Sequence, residues 1–238
     1  MDLTQRKQNL VYASKALAME GQGDIIWGHV SIRIPEQNAF LMKPHEMGLG
    51  EITLDDVITV DMDGNKIGGH RKRHGEWPIH SEIYRRRPEI TCVVHTHPPF
   101  ATTFSALDQK LLPIQGEGAY FTKNLPTFTI TTDLITDKAM GVAMAECMGN
   151  SYALLLRNHG IVTAGRTVGE AVLTAIFLEK ACMCQLLANQ YGGPVHWSPE
   201  KDVEARHHRS QNNVEMADAA FQYYVRRAQA MDKAGIPI

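Results

Sequence analysis

An apolar segment that ends in a pair of histidines constrains the fold most strongly. Residues 90–95 are apolar up to the histidine, apart from Thr91, and His95-Thr96-His97 is followed at once by two prolines. A continuous apolar run predicts a buried central strand, and the prolines predict its end. Side chains alternate along a strand, so His95 and His97 face one side and Thr96 faces the other. The sequence therefore predicts two adjacent imidazoles at a strand end, an arrangement suited to binding a metal.

Apolar periodicity and turn residues predict alternating helices and strands on both sides of this segment. Helices are predicted at residues 3–21, 78–87, 100–106, 136–148 and 168–191, near 217–230, and beginning at 53–56. Strands are predicted within residues 24–35 and at 39–43, 57–61, 90–95, 111–114, 127–130, 152–156 and 161–165. Several strands are arranged as hairpins, which favours one α/β domain with a mixed or antiparallel sheet covered by helices.

Composition excludes several classes of protein. The 238 residues are 44% hydrophobic and 21% charged, with a net charge of −2. This is ordinary globular composition, and the small net charge gives no basic field for nucleic acid. By this reading no apolar run is long enough to span a bilayer, and the N-terminus lacks the pattern of a secretory signal. The four cysteines are too scattered for a disulfide framework and are interpreted as buried free thiols. We therefore expect a cytoplasmic protein that forms a single domain over residues 1–238.

His159 is the candidate for a third metal ligand, and it also lies at a predicted strand end. His159 follows the apolar strand predicted at 152–156 and precedes Gly160, in a polar break between two apolar runs. Three histidines with an open coordination position are typical of a catalytic metal site. Imidazoles accept Zn²⁺, Mn²⁺ and Fe²⁺ alike, so the pattern leaves the metal open. A carboxylate for acid–base chemistry is also expected, but spacing does not choose among its candidates. They are Glu76, Glu82, Glu89 and Glu117.

Five short motifs carry a resemblance to a known family. They are Gly28-His29-Val30-Ser31, Glu76-Trp77, His80-Ser81, His95-Thr96-His97 and Asn158-His159-Gly160-Ile161-Val162. In these motifs the chain resembles the class II aldolase/adducin family, which includes fuculose-phosphate aldolase and ribulose-phosphate 4-epimerase. The resemblance runs from the first helix to about Tyr191.

The resemblance implies a fold, an assembly and a site. It implies a three-layer α/β/α sandwich with a central, mainly antiparallel sheet, and a homotetramer with active sites between neighbouring subunits. It implies that His95, His97 and His159 bind one divalent metal. The catalytic glutamate of the family corresponds to Glu76 and not to Glu82.

Departures from the family pattern bear on the substrate. Sugar-phosphate aldolases of the family hold the phosphate with an asparagine in the first glycine loop and a serine pair before the glutamate. This chain has His29 in the first position and His74-Gly75 in the second. It is similar here to family members that decarboxylate aromatic hydroxy-acids. Cationic donors suit planar carboxylates. The substrate-binding candidates are His29, Ser31, Lys43, His45, His74 and Gly75.

The predicted function is a metal-dependent lyase that cleaves a carbon–carbon bond. We expect the metal to chelate a carboxylate and the neighbouring hydroxyl, the ring to tautomerise, carbon dioxide to leave, and Glu76 or a bound water to protonate the carbon. Two alternatives stay open. One is an aldolase or epimerase acting on a hydroxy-carbonyl substrate, and the other is a non-catalytic, adducin-like scaffold.

The end of the chain is less constrained by the pattern. The family tyrosine that reaches a neighbouring subunit has no clear counterpart in the segment after the histidine pair. Tyr223 and Tyr224 remain candidates. They belong to a polar tail, beginning at about residue 198, that is expected to be partly helical and that could reach a neighbouring subunit.

Overall fold

The computed structural model describes residues 1–194, 196–212 and 214–238, and it contains one eight-stranded sheet between two layers of helices. The strands are β1 (His29–Ile34), β2 (Ala39–Met42), β3 (Ile58–Asp61), β4 (Lys66–Gly68), β5 (Cys92–Thr96), β6 (Thr127–Phe128), β7 (Ala153–Leu156) and β8 (Gly160–Gly165). The helices are α1 (Leu3–Met19), α2 (Trp77–Arg86), α3 (Pro99–Ser105), α4 (Lys138–Met148), α5 (Val168–Gln190), α6 (Glu200–Asn212) and α7 (Val214–Ala234). Two 3₁₀ turns lie at Pro35–Gln37 and Glu117–Tyr120.

The sheet order is β4-β3-β2-β1-β5-β8-β7-β6. Every pairing is antiparallel except that of β6 with β7. All five residues of β5 are buried, and this strand lies between β1 and β8. The predicted central strand and the mainly antiparallel sheet are therefore confirmed.

Two apolar cores flank the sheet, one on each face. On one face, α1, α3, α5 and α7 pack on residues such as Val30, Cys92 and Val94. On the other face, α2 and α4 pack on residues such as Phe40 and Val93. Adjacent residues of β5 thus contribute to opposite cores, as the pleat of a strand requires. This is the α/β/α sandwich expected from sequence.

Two local predictions are wrong, and strand β4 and helix α6 were not predicted. Residues 111–114 form no strand, since Pro113 interrupts them and the Leu112 N–H donates to Gln185 of α5. No helix begins at Thr53, because the Asp56 carboxylate accepts from both its N–H and its hydroxyl and closes a turn. Helix α6 was not predicted, because its sequence is rich in charge and, within residues 200–209, Val203 is the only core residue.

Helix α5 corrects the expectation about apolar length. Its 23 residues are long and apolar enough to cross a membrane by length and composition, although half of the apolar window is buried in the fold. The helix packs on α3, α7 and β8. Its apolar character is therefore that of a core helix.

Helix α7 packs on its own subunit. The Tyr224 hydroxyl donates to Glu20 at the end of α1 at 2.8 Å, and Lys15 of α1 pairs with Asp232. Tyr224 is buried, whereas Tyr223 is half exposed beside Arg227. Whether the tail also contacts a neighbouring subunit stays a prediction.

Candidate active site

The end of β5 brings His95 and His97 together. Their Nε2 atoms lie 3.1 Å apart, and Thr96 points the other way, with its hydroxyl donating to Gln22. The Nδ1 atom of His95 lies 2.9 Å from the Ile161 carbonyl, which only accepts hydrogen bonds. That acceptor fixes the His95 proton on Nδ1 and leaves the lone pair on Nε2.

Asp24 accepts the hydrogen bond from the far ring nitrogen of His97, as the Ile161 carbonyl does for His95. Its Oδ2 atom lies 3.0 Å from His97 Nδ1, so His97 also presents its Nε2 lone pair to the shared space. Burial lowers the pKa of His97 to about 4, and the ring is therefore neutral near pH 7. A neutral imidazole with an acceptor on its far nitrogen is the form that binds a metal.

His159 reaches the same space through the turn between β7 and β8. Asn158 has φ of 58°, in the left-handed region, and it turns the chain tightly. A Cβ atom on Gly160 would lie 2.5 Å from the Thr96 carbonyl oxygen and 2.8 Å from His97 Cδ2. Only glycine allows the turn to approach β5 this closely. The Asn-His-Gly sequence thus places His159 against His97.

The three histidines fit a divalent metal. One ligand nitrogen from each lies within 4.8 Å of the others. Among the residues that the structure describes, buried His159 Nε2 has no hydrogen-bond partner, so its polar atom is unsatisfied. Burial, with His95 next in effect, lowers the pKa of His159 to about 4. The donor set matches the three-imidazole ligation of catalytic zinc sites and equally admits Mn²⁺ or Fe²⁺.

Glu76 lies at the start of α2 and faces this cluster. One carboxylate oxygen accepts the Ile135 N–H at 2.9 Å and lies 3.8 Å from His159 Nε2. The other lies 3.5 Å from His95 Nε2 and 3.6 Å from His29 Nε2. Burial raises the pKa of Glu76, but the polar contacts of the carboxylate lower it by more, so its net pKa is well below the usual range. The side chain is therefore an ionised base in direct reach of the metal position.

Two further imidazoles extend the site away from the three-histidine cluster. His29 pairs with His95 across β1 and β5, and its ring centroid lies 4.3 Å from that of His74. Both are buried, and within the described ranges the Nε2 atoms of both have no hydrogen-bond partner. Burial, with Lys43 next in effect, lowers the pKa of His74 to about 2. Each neutral ring therefore carries one proton, and the two Nε2 atoms offer polar contacts to a ligand.

The other substrate-binding candidates, His45, Lys43 and Gly75, differ in how directly the structure places them at the site. The His45 ring centroid lies 4.9 Å from that of His74, at the edge of this group. Lys43 is fully buried and donates to the Ile26 carbonyl at 2.6 Å, and burial lowers its pKa to about 7. Gly75 is not required by close packing, since an added Cβ would meet only Thr136 at 3.5 Å.

Ser31 is placed differently from the prediction. Its hydroxyl is fully buried between His80 Nδ1 at 2.6 Å and the Tyr84 hydroxyl at 2.7 Å. It therefore takes part in an internal hydrogen-bond network, whereas the Nε2 atom of the equally buried His29 is left without a partner within the described residues. The pattern around Ser31 identified the strand, but β1 alternation alone could not show that a histidine and a tyrosine of α2 cover this side.

Three residues that contribute to the site were not among the predicted site residues, although His80 belongs to one of the motifs quoted above. Asp24 orients His97, the Ile135 N–H holds Glu76, and His80 contacts His29. The His80-Ser81 motif, on a helix that begins at Trp77, was the available signal for His80. Asp24 and Ile135 lie in irregular segments that no periodicity connects to the histidines.

Fold and geometry together define a class of protein: an α/β/α sandwich that places three histidines and a glutamate at the end of a central strand. The class II aldolase and adducin N-terminal domain model matches residues 8–186. The chain belongs to this family, an enzyme superfamily of aldolases and related lyases.

Similar proteins include both decarboxylases and aldolases. The 3,4-dihydroxyphthalate decarboxylase of Arthrobacter keyseri is 31% identical over 210 residues, covering 83% of this chain and 84% of the relative. The L-fuculose phosphate aldolase of Methanococcus maripaludis is 33% identical over 193 residues, covering 79% of this chain and 98% of that aldolase. Among solved structures, the L-fuculose 1-phosphate aldolase of Glaciozyma antarctica PI12 has a TM-score of 0.81 at 28% identity. The match covers 93% of this chain and 88% of that structure.

Proposed function

We propose that this protein is a metal-dependent lyase that decarboxylates an aromatic hydroxy-carboxylate or hydroxy-dicarboxylate. The observation that carries the proposal is the pair of buried imidazoles, His29 and His74, whose Nε2 atoms have no hydrogen-bond partner within the described residues. The His29 Nε2 atom lies 3.6 Å from Glu76 Oε2, and the His74 ring lies against the His29 ring. Neutral ring N–H groups suit the flat edge of a carboxylate. The similarity to 3,4-dihydroxyphthalate decarboxylase supports the same substrate class.

His95, His97 and His159 would hold one divalent metal, Zn²⁺, Mn²⁺ or Fe²⁺. When bound, the metal supplies Lewis-acid stabilisation of negative charge on oxygens of the substrate. Asp24 and the Ile161 carbonyl keep the His97 and His95 rings in the tautomers that leave Nε2 free for ligation.

Glu76 moves the proton in this mechanism. As an ionised base it takes the proton of the hydroxyl group and delivers it to the ring carbon that carries the departing carboxylate. The ring is then a ketone, the carbon–carbon bond breaks, and its electron pair moves to the ketone oxygen as carbon dioxide leaves. The resulting phenolate takes a proton from solvent on release, so one carboxylate is exchanged for one hydrogen. The Ile135 N–H holds the Glu76 carboxylate in place.

A second candidate is an aldolase acting on a hydroxy-carbonyl substrate. The similarity to L-fuculose phosphate aldolase, with 98% of that protein covered, favours it. Aldol cleavage needs the same stabilised charge beside the metal, so the three-histidine cluster serves both reactions. The difference lies at His29 and His74, which replace the small amide and hydroxyl donors expected around a phosphate.

The assembly and location are inferred as well. We infer a homotetramer with active sites between subunits, because Ile25 and Trp27 before β1 and Leu134 beside Ile135 expose large apolar surfaces near the site. We infer a cytoplasmic location, in keeping with four cysteines that are all unpaired in the described chain. Cys92 and Cys182 are buried, whereas Cys147 and Cys184 are half-buried.

The test is a screen of metal-reconstituted protein against aromatic ortho-hydroxycarboxylates and hydroxy-aldehyde precursors, including fuculose 1-phosphate. Carbon dioxide and aldehyde are both measured. Carbon dioxide released in proportion to a consumed aromatic acid supports the decarboxylase. Aldehyde release alone supports the aldolase. A folded protein that binds no metal, and whose properties do not change in His95→Ala, would support the non-catalytic, adducin-like scaffold.

A further inference from the structure

A chain of short hydrogen bonds runs from the interior of α2 to the candidate active site. The Tyr84 hydroxyl lies 2.7 Å from Ser31 Oγ, and Ser31 Oγ lies 2.6 Å from His80 Nδ1. His80 Nε2 lies 2.6 Å from His29 Nδ1, and His29 Nε2 lies 3.6 Å from Glu76 Oε2. We call Tyr84, Ser31, His80 and His29 the buried relay. All four side chains are fully buried, so solvent does not supply alternative partners.

Two proton orders are compatible with these distances. In the outward order, Tyr84 donates to Ser31, Ser31 to His80 Nδ1, and His80 Nε2–H to His29 Nδ1, which leaves a proton on His29 Nε2. In the inward order every donation is reversed, the Tyr84 hydroxyl donates to the Thr91 carbonyl, and His29 Nε2 carries a lone pair. Each order satisfies all the internal bonds, so the two ends of the relay decide between them.

Both ends favour the outward order. At the inner end, the Thr91 carbonyl is 3.4 Å from the Tyr84 hydroxyl and already accepts the Arg33 N–H at 2.8 Å. At the outer end, the inward order would aim a nitrogen lone pair at the ionised Glu76 carboxylate. The outward order aims an N–H at it, which is electrostatically favourable. The neighbouring His95 does not compete as a donor, since its proton lies on Nδ1.

The relay members are in the protonation states that the outward order requires. Burial raises the pKa of Tyr84 well above its usual value, so the phenol keeps its proton and donates. Burial lowers the pKa of His80 to about 3, so this ring carries one proton and accepts on its other nitrogen. When the neutral His80 ring accepts a hydrogen bond from Ser31 on Nδ1, its single proton lies on Nε2. That proton is then donated to His29 Nδ1.

We propose that Tyr84, Ser31 and His80 are positioning residues that hold His29 as an Nε2–H donor facing Glu76 and the departing carboxylate of the substrate. The part that concerns the substrate rests on the function proposed above, whereas the tautomer of His29 does not. No part of the buried relay has to move or titrate during turnover. Its effect is to orient one N–H toward the site before the substrate binds.

The same tautomer also selects among metal positions. His29, Glu76 and His95 form a second group of ligand atoms within 4.8 Å, next to His95, His97 and His159. A proton on His29 Nε2 disfavours that atom as a ligand, because the whole relay would have to reverse its donation before the nitrogen could bind a metal. The buried relay thus restricts a metal to the three-histidine position and leaves Glu76 free as a base.

Nitrogen NMR of ¹⁵N-histidine-labelled, metal-free protein tests the tautomer directly. The His29 signals are assigned by their loss in His29→Gln. We expect wild-type His29 to show a protonated Nε2 and an accepting Nδ1, and His80→Leu to lose this state. His80→Gln, whose amide N–H replaces the donor at the Nε2 position, is expected to restore it. A wild-type His29 protonated on Nδ1, or a His29 tautomer unchanged in His80→Leu, would overturn the proposal.

Activity on the aromatic acid found by the screen gives the second readout. His80→Leu is expected to lower kcat by about 10- to 100-fold, with His80→Gln recovering most of the loss. Metal content per subunit is measured in each variant, and exposed His70→Gln serves as the control. Equal losses in His80→Leu and His80→Gln would mean that the ring only fills space, and would contradict a positioning role. If no acid is turned over by the wild type, the function fails while the NMR result still decides the tautomer.

Discussion

Glu76 is a buried carboxylate that faces the ring nitrogens of three histidines and accepts one backbone N–H. A carboxylate so placed stays ionised, and its position beside the metal ligands suits proton transfer more than structural support. Glu82 lies on the same helix and is as buried as Glu76, but it pairs with Arg85, one turn further along the helix. The two glutamates therefore offer a matched test.

Glu76→Gln is expected to lower turnover by about 10²- to 10⁴-fold, because the amide cannot carry the proton. Metal content, measured by mass spectrometry of the purified protein, is expected to stay at the wild-type level, since the three histidines remain. Glu82→Gln is the control and is expected to retain activity. Wild-type turnover in Glu76→Gln would remove this residue from the mechanism.

The buried Lys43 side chain should make the free energy of unfolding depend on pH. Its folded-state pKa is about 7, against 10.5 for an exposed lysine, because burial disfavours the charged form. Between these values the unfolded chain binds more protons than the folded one, so the free energy of unfolding rises with pH in this window. Below about pH 7 both states are protonated and the cost of burying the ammonium is present in full.

The variant Lys43→Met removes this dependence. Between pH 7 and 10 the wild type is expected to gain about 2–4 kcal/mol in the free energy of unfolding relative to Lys43→Met. Urea unfolding at a series of pH values measures it. The exposed Lys66→Met variant should follow the wild type. Parallel pH profiles for the wild type and Lys43→Met would show that Lys43 is not neutral in the folded protein.

At the scale of elements, the site depends on how closely the turn before β8 approaches the end of β5. Asn158 supplies the left-handed turn, and Gly160 supplies the space against Thr96 and His97. Neither residue would ligate the metal. Both decide whether His159 reaches His95 and His97.

Gly160→Ala should separate these elements. The added Cβ would press on the Thr96 carbonyl and the His97 ring, and we expect a loss of about 1–3 kcal/mol in stability together with weaker metal binding. Thermal unfolding and calorimetric metal titration measure the two effects. Gly23→Ala, where a Cβ would meet only ordinary contacts at 3.8 Å, is the control. Equal metal affinity in both variants would contradict the role of the turn.

Elements with strong apolar patterns were predictable, and elements held by side-chain contacts were not. The apolar run in β5 and the stop at Pro98 located His95 and His97 without any knowledge of the fold. Helix α6 escaped prediction because nothing in its charged sequence marks an apolar face. Asp24 and the Ile135 N–H escaped because hydrogen bonds between segments distant in sequence leave no periodic signal.

At the scale of the whole molecule, apolar side chains near the site suggest association. Ile25 is 75% exposed and Leu134 is 58% exposed, which is unusual for large apolar residues beside buried polar ones. We expect light scattering coupled to size-exclusion chromatography to give a mass about four times the 26.5 kDa of the chain. A monomer that remains fully active would contradict a site completed between subunits.

Carbon dioxide release from 3,4-dihydroxyphthalate tests the central claim most directly. Protein reconstituted with Zn²⁺ or Mn²⁺ is expected to release one carbon dioxide for each substrate consumed, and to lose this activity on chelation and in Glu76→Gln. Aldehyde released from fuculose 1-phosphate, with no carbon dioxide from any aromatic hydroxy-acid, would contradict the account.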